Sequence, residues 1–504
     1  MDDVENFELL KKAIFANCPV LEDILNIDGG KSLIEYANSY KQNNTLVDSV
    51  IKQEFIAEIK SSVEQLLGAE VAESVGNQLL NYYYVSTTDH HGPISHPFFV
   101  HADLLAGIKQ EESSKAPHDN LIVLACSNVS LGNSSLPRSL LFHYQNQPVE
   151  GYERINFYPA RDRLSPVFRL RPFTISDIKR MQDEIEVKCF NGTYSKKLRD
   201  KLKFLLESIY NIKGVLNART FADQITITNF YLWQELFKVS RGKLSNLIYL
   251  EQEKIVTHLL VKHHLFSDTD VNKFIFKSDI LDKIEDLFDG IPGAFTNKED
   301  KGTFLFWYLP QGSKRRIALR REKQELVSAD STFRISLQPE IIKILLEQMK
   351  LIPSTMLSLA VLHCYYGVKC LGGFSQVNYL TNIEKAWNKI FNNNFSHDVS
   401  KNNPIQSICG DFIIGLLKMG NELLPATALD FILYGAADSY DVFKKTTENL
   451  TVAESIALMF PELYKILYKK QEREIPLEKM SQEKIFKVLN LEKRMSPCLN
   501  EMNL

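Results

Sequence analysis

The stretch 82-YYYVSTTDHHGPISHPFFVHADLLAGIKQEESSKAPHDNLIVLACS-127 decides the fold class. Tyr82 to Thr87 is aromatic and β-branched, which is a strand signal. A histidine-rich loop, 89-DHHGPISHP-97, follows, and Pro97 suits the first position of a helix, FFVHADLLAGI. After the polar stretch EESSKAPHD, the short apolar run that begins at Asn120 reads as a buried parallel strand. Strand, helix and strand make a βαβ unit whose crossover is long enough for a parallel sheet. The expectation is adjacent parallel strands over 83–88 and 121–126, with a crossover helix over 97–109.

Outward from this unit the texture is mostly helical. Residues 5–80 carry apolar residues at three- and four-residue spacing. LLFHY and INFYP read as further strands, and helical patterns resume at 175–211 and 222–239. DGIPGAFTNKEDKG is a turn-rich break, after which TFLFWYL and RRIALRRE read as a hairpin or neighbouring strands. From Gln338 the chain is mainly helical, broken by FNNNFSHDVSKNNP. This predicts an α/β protein: a Rossmann-like parallel-sheet core with extensive helical additions at both ends. The expected division is a helical segment 1–80, an α/β core 81–330, and a mainly helical region 331–504 that contributes Gly372 and Gly373 to the core site.

Composition narrows the function classes. The 504 residues are 44% hydrophobic and 24% charged with 22 Gly and 18 Pro, so collagen-like and wholly disordered classes are excluded. The net charge of −3 offers no basic field for nucleic acid. Cys18, Cys126, Cys189, Cys364, Cys370, Cys409 and Cys498 are odd in number and never form CxxC, which fits reduced thiols and a cytoplasmic location. The start MDDVENFELLKKAIF has no basic n-region and no apolar h-region, so no secretory signal is expected. Leu351 to Val368 lacks formal charge but contains Pro353, His363 and two tyrosines. It reads as a buried helix, and no membrane partner is expected.

Two constellations carry chemistry. The first places Asp89, His90, His91, His96 and His101 in and just after a loop that leaves the C-terminal end of a strand, where open α/β sheets bind ligands. One reading is an anion or nucleotide loop: Thr87, Gly92 and the helix start cradle the anion, and His90 or His96 acts as acid, base or charge stabiliser. A second reading is a metal site of Asp89 with two histidines, although the spacing matches no familiar zinc motif. A third is a loop of hydrogen-bonded structural histidines. The second constellation is 366-YGVKCLGGFSQVNYL-380, where Gly372 and Gly373 permit close backbone approach and Gln376 and Tyr379 lie three residues apart. Its plain reading is a bend between packed helices.

Arg161, Arg163, Arg169 and Arg171 cluster in PARDRLSPVFRLRPF, and an extended backbone would put Arg169 and Arg171 on one face as carboxylate or phosphate ligands. Lys314, Arg315, Arg316, Arg320 and Arg321 form a second cluster, read as solvated charge. Gly29-Gly30-Lys31-Ser32 mimics the end of a phosphate loop, but Leu25 stands where the first glycine is needed.

Together the two constellations resemble the bacillithiol synthase type, the cysteine-adding ligases. That family's N-terminal loop reads V-T-G-Q-Q-P-G-L-F-x-G-P before a helix, and 86-STTDHHGPISHP-97 keeps Thr87, Gly92 and Pro97 at the same spacing. Its C-terminal motif reads G-G-P-G-E-x-x-Y with a nearby lysine. Here 372-GGFSQVNYLTNIEK-385 keeps Gly372, Gly373 and Tyr379, with Gln376 replacing the acid. The family's glutamine pair becomes Asp89-His90, its helix lysine becomes Asp103, and its E-D-H-D stretch has no counterpart in 126-CSNV-129. The resemblance implies a Rossmann-like core related to nucleotide-handling ligases, with a different substrate.

The resulting expectation is an enzyme of ligase or group-transfer type on a small carboxylate- or phosphate-bearing molecule. Asp89, His90 and His96 would be its catalytic groups; Thr87, Gly92, Arg169, Arg171, Gly372, Gly373, Gln376 and Tyr379 would bind the substrate. A metal-dependent hydrolase using Asp89, His90 and His96 and a non-catalytic binding or scaffolding protein are the alternatives.

Overall fold

The computed structural model describes residues 3–41, 48–109, 118–145, 151–240, 242–299, 301–391 and 406–504. Its organising element is a four-stranded parallel sheet of Tyr84–Ser86 (β1), Asn120–Ala125 (β2), Asn246–Glu251 (β3) and Lys369–Leu371 (β4). The spatial order is β4-β1-β2-β3, with Tyr84 opposite Lys369, Ser86 opposite Val123, and Asn120 to Ala125 opposite Asn246 to Glu251. β1 and β2 are adjacent and parallel, and the helix Pro97–Gly107 (α1) lies between them in sequence.

Alternate residues of the strands enter two different cores. Tyr84, Leu121, Val123, Leu247, Tyr249 and Leu371 belong to one, and Val85, Ile122, Leu124, Ile248, Leu250 and Cys370 to the other. A sheet buried on both faces explains why the strands read as continuous apolar runs rather than alternating ones. The β2–β3 connection contributes Phe221–Glu235 to the first face, where the Thr226 hydroxyl donates to the Tyr249 carbonyl at 2.6 Å. The β3–β4 connection lies mainly on the second face and carries a five-stranded antiparallel sheet, in which Phe306–Tyr308 pairs with Ile317–Glu322. Right-handed crossovers require such a change of face when the strand order reverses direction.

The helical additions are not two separate ends. Asp3–Asn17 packs on Phe460–Leu467, with Phe7 and Phe15 against Phe460 at ring separations of 6.1 and 6.0 Å. Ser49–Leu67 and Ala69–Asn81 cover the opposite face of the sheet. The stretch read as a helical C-terminal region contains β4, the strand Leu351–Pro353 and the hairpin of Leu416–Met419 with Glu422–Pro425. Three- and four-residue strands are too short to show a period. Leu351 to Val368 divides accordingly into a strand and a buried helical stretch. Among the described residues no helix is long and apolar enough to cross a membrane. The break read in FNNNFSHDVSKNNP lies, after Phe391, outside the described residues, as does most of EESSKAPHD. Gly29 to Ser32 joins two helices, and Ser32 caps the second with Glu35.

Candidate functional site at the strand ends

The strand order changes direction between β1 and β4, because the chain runs from β1 outward to β3 and returns to the other side of β1. In open α/β sheets ligands bind at such a switch point, outside the carboxyl ends of the strands. The residues that follow β1 are Thr87-Thr88-Asp89, and those that follow β4 are Gly372-Gly373, at the start of the helix Phe374–Phe391 (α3 below). A second helix used below, Ile175–Phe190, is α2.

The two motifs touch. The Thr87 amide donates to the Leu371 carbonyl at 2.8 Å, its hydroxyl donates to the same oxygen at 3.0 Å, and the Gln376 amide donates to Thr87 Oγ1. A third segment closes over them: the Cys409 amide donates to the Gly372 carbonyl at 3.0 Å, and the Ile408 amide donates to the Tyr36 hydroxyl at 2.9 Å. Asp411 Oδ2 accepts from the Phe374 amide at 2.8 Å, so this carboxylate caps α3. Gly373 is required here because a Cβ would overlap Asp411 Oδ2, and a Cβ on Gly410 would lie 2.7 Å from Thr88 Cγ2.

Carboxyl groups dominate this end of the sheet. Asp89 and Asp103 are fully buried, and one oxygen of each, Oδ2, lacks a hydrogen-bond partner. Asp89 Oδ1 accepts from the Thr88 hydroxyl at 2.8 Å. Burial raises the Asp89 carboxyl to about 7. Burial, then the neighbouring Asp89 charge, pushes Asp103 well above the carboxylate range. Two carboxyls so placed share a proton near neutrality, as a pair rather than as independent acids. Burial also raises Asp411 to about 6.

The loop histidines are neutral. Burial lowers His90, His96 and His101 to about 4 and His91 to about 3. His90 Nδ1 lies 2.9 Å from Ser135 Oγ, and its ring meets Phe99. His96 precedes the first residue of α1 and packs on Phe98 and Tyr152, whereas His101 faces Phe431 and accepts from the Ile414 amide at 3.3 Å. His91 is fully buried against Tyr249 with neither ring nitrogen partnered. Among the described residues no group of three or more histidine, cysteine, aspartate or glutamate side chains is placed to hold a metal ion.

The remaining expected residues are spread out. The Gly92 carbonyl accepts from Asn229 at 3.0 Å, and a Cβ there would meet the Pro137 backbone. Gly92 therefore serves close packing of the loop. Arg169 has φ 59°, so the extended backbone expected for 169–171 does not form. Its guanidinium donates to the carbonyls of Leu309, Pro310 and Met349. Arg171 makes a two-pronged pair with Asp177 at 2.9 and 3.1 Å. Tyr379 lies against Gly293, where an added Cβ would be 3.3 Å from its ring.

Sequence reading missed several groups at the same edge. Fully buried Glu253 accepts from the Ser127 amide at 2.7 Å, the Ser127 hydroxyl at 2.8 Å, Asn128 at 2.9 Å and the Cys126 thiol at 3.3 Å. Glu251 ends β3, and burial raises it to about 8. Arg316, read as solvated, donates to Asn128 Oδ1 at 2.9 Å and stacks over Trp307 at 4.1 Å. One signal for Asp103 was available: it is a charged residue inside the otherwise apolar helix FFVHADLLAG. No protein-family model matches the chain, and no curated protein matches it.

Proposed function

We propose that this protein is an enzyme of ligase or group-transfer type that acts on a small carboxylate- or phosphate-bearing molecule held between the ends of β1 and β4. The observation that carries the reading is the contact of Thr87 with Leu371 and Gln376 at the switch point, which brings two motifs 289 residues apart together at one end of the sheet. The Asp89–Asp103 pair supplies an acid–base group poised near neutral pH. Neutral His90 and His96 act as hydrogen-bonding groups rather than as cations. Arg316, beside Asn128 at the end of β2, is the guanidinium that offsets this acidic edge and meets the anionic group of the substrate. Arg169 and Arg171 have no role in this reading, because carbonyls and Asp177 engage them.

A Rossmann-like core and kinship with the bacillithiol synthase type belong to the same proposal. The strand order β4-β1-β2-β3 supports it, since it has the form of the central part of a doubly wound sheet. A nucleotide is the cofactor that such a switch point accommodates.

Native mass spectrometry of the purified protein, with elemental analysis, tests the reading through ligands retained from the cell. A retained small anion or nucleotide in the wild type that is absent from Asp89→Asn and Arg316→Ala supports it. A retained stoichiometric metal supports the hydrolase alternative instead. Retention of a protein partner with no small molecule supports scaffolding.

A further inference from the structure

The segment from Pro159 to Arg180 frames a concavity, lined by Pro159, Arg161, Arg171, Ser176, Asp177 and Arg180, with a volume of about 540 Å³. None of Thr87, Asp89, Asp103, Gly372 and Gln376 lines it. We propose that this cleft binds a phosphate-bearing small molecule.

The charge balance points to an anion. Three guanidiniums face one carboxylate, in a chain whose overall charge is −3. Asp177 neutralises Arg171 alone. Arg180 donates to the carbonyls of Asn156 at 3.0 Å and Phe157 at 2.6 Å, and has no carboxylate partner among the described residues. Arg161 has neither a hydrogen bond nor an ion pair among the described side chains. Two positive charges are thus left without counter-charge in one cleft, the match for a phosphate dianion.

The three arginines are exposed, but two of them are held in place. Arg171 is fixed by both oxygens of Asp177, by the Pro172 carbonyl at 2.9 Å and by the Tyr158 ring 5.0 Å away. Arg180 is fixed by its two carbonyls. Guanidiniums that are already oriented lose little rotamer freedom when they bind, and their forked donors match phosphate oxygens. The start of α2 does not carry the inference, because Asp177 already caps it with Thr174. The volume falls within the range of small-ligand sites, roughly 300–1,000 Å³.

Titration calorimetry of the full chain with inorganic phosphate, pyrophosphate and adenosine 5′-monophosphate tests the proposal at low and high salt. Saturable binding of at least one probe is expected, weakened at least tenfold by Arg161→Glu and by Arg161→Ala with Arg180→Ala. Tightest binding of inorganic phosphate or pyrophosphate identifies a free anion, and tightest binding of the nucleotide an organic phosphate. Arg161 is exposed, so its variants keep the fold, which circular dichroism checks. Arg169→Ala, whose guanidinium is engaged by three carbonyls outside the cleft, is expected to bind the probes as the wild type does. No saturable binding to the wild type, equal binding to Arg161→Glu, or loss of binding in Arg169→Ala would each overturn the proposal.

Discussion

Around Asp430 and around Asp89 the chain buries the same residue types, histidine and aspartate, and completes only one of the two networks. Asp430 accepts from the His143 amide at 2.8 Å and the Thr427 amide at 2.8 Å, and its Oδ2 lies 2.6 Å from His143 Nδ1. Thr427 closes the box by accepting from the Asp430 amide. Around Asp89 the opposite holds: Asp89 and Asp103 lean on the one proton they share, with no donor from another residue on either Oδ2, and both nitrogens of His91 lack partners. Buried polar groups in folded proteins are nearly always paired, so a concentration of unpaired ones marks a place kept for something else. The completed network stabilises the fold, and the open one is where the proposed site lies.

The largest expected effect belongs to the completed network. Asp430→Ala leaves two amides and His143 without their acceptor, and each hydrogen bond to a charged group contributes roughly 1.5–3 kcal/mol. Urea unfolding is expected to show a loss of about 3 kcal/mol or more. A loss below about 1 kcal/mol would break the contrast.

Asp89→Asn is expected to behave in the reverse way. The Asp89 carboxyl is raised to about 7, so the native state holds a proton that the unfolded chain releases near pH 4. The wild type therefore loses stability as pH rises from about 4 to 7, and the loss persists above that. The asparagine variant lacks this loss, and its stability relative to wild type is expected to climb through that window, by on the order of 1–3 kcal/mol. The lowered His91 and His101 act with the other sign: their contribution is present above about 6.5 and disappears as pH falls towards 4. Thermal melts of both proteins from pH 4 to 8 check this, and parallel profiles would contradict it.

A Gly373→Ala change presses a methyl group on Asp411 and is expected to cost about 1–2 kcal/mol, with weakened ligand binding. Arg169→Ala removes donors from three carbonyls and is expected to cost about 1 kcal/mol while leaving binding unchanged. Loss of binding in Arg169→Ala would return that arginine to the site.

The contrast also explains what the sequence could reveal. The unit from Tyr82 to Ser127 was legible because its strands, its helix and Pro97 each carry a strong local signal. The approach of Gly372 and Gly373 to the histidine-rich loop was expected on chemical grounds, and the strand Lys369–Leu371 that brings the two segments together was invisible, since three residues have no period. Arg169 was misleading because its φ of 59° depends on tertiary carbonyls that no local pattern encodes. Arg316 was read as solvent-facing because its partners, Asn128 and Trp307, come from two different elements. The Asp89–Asp103 pair emerges only once both are buried side by side.

The central claim is that the open network at the strand ends is a ligand site. Its most direct test is a thermal-shift titration of wild type and Asp89→Asn, side by side at neutral pH, against nucleotides, phosphorylated sugars and small carboxylic acids. At least one compound is expected to raise the melting temperature of the wild type in a saturable way and to leave Asp89→Asn unshifted. A panel in which every compound that shifts the wild type shifts Asp89→Asn equally, or in which none shifts the wild type, would contradict the account.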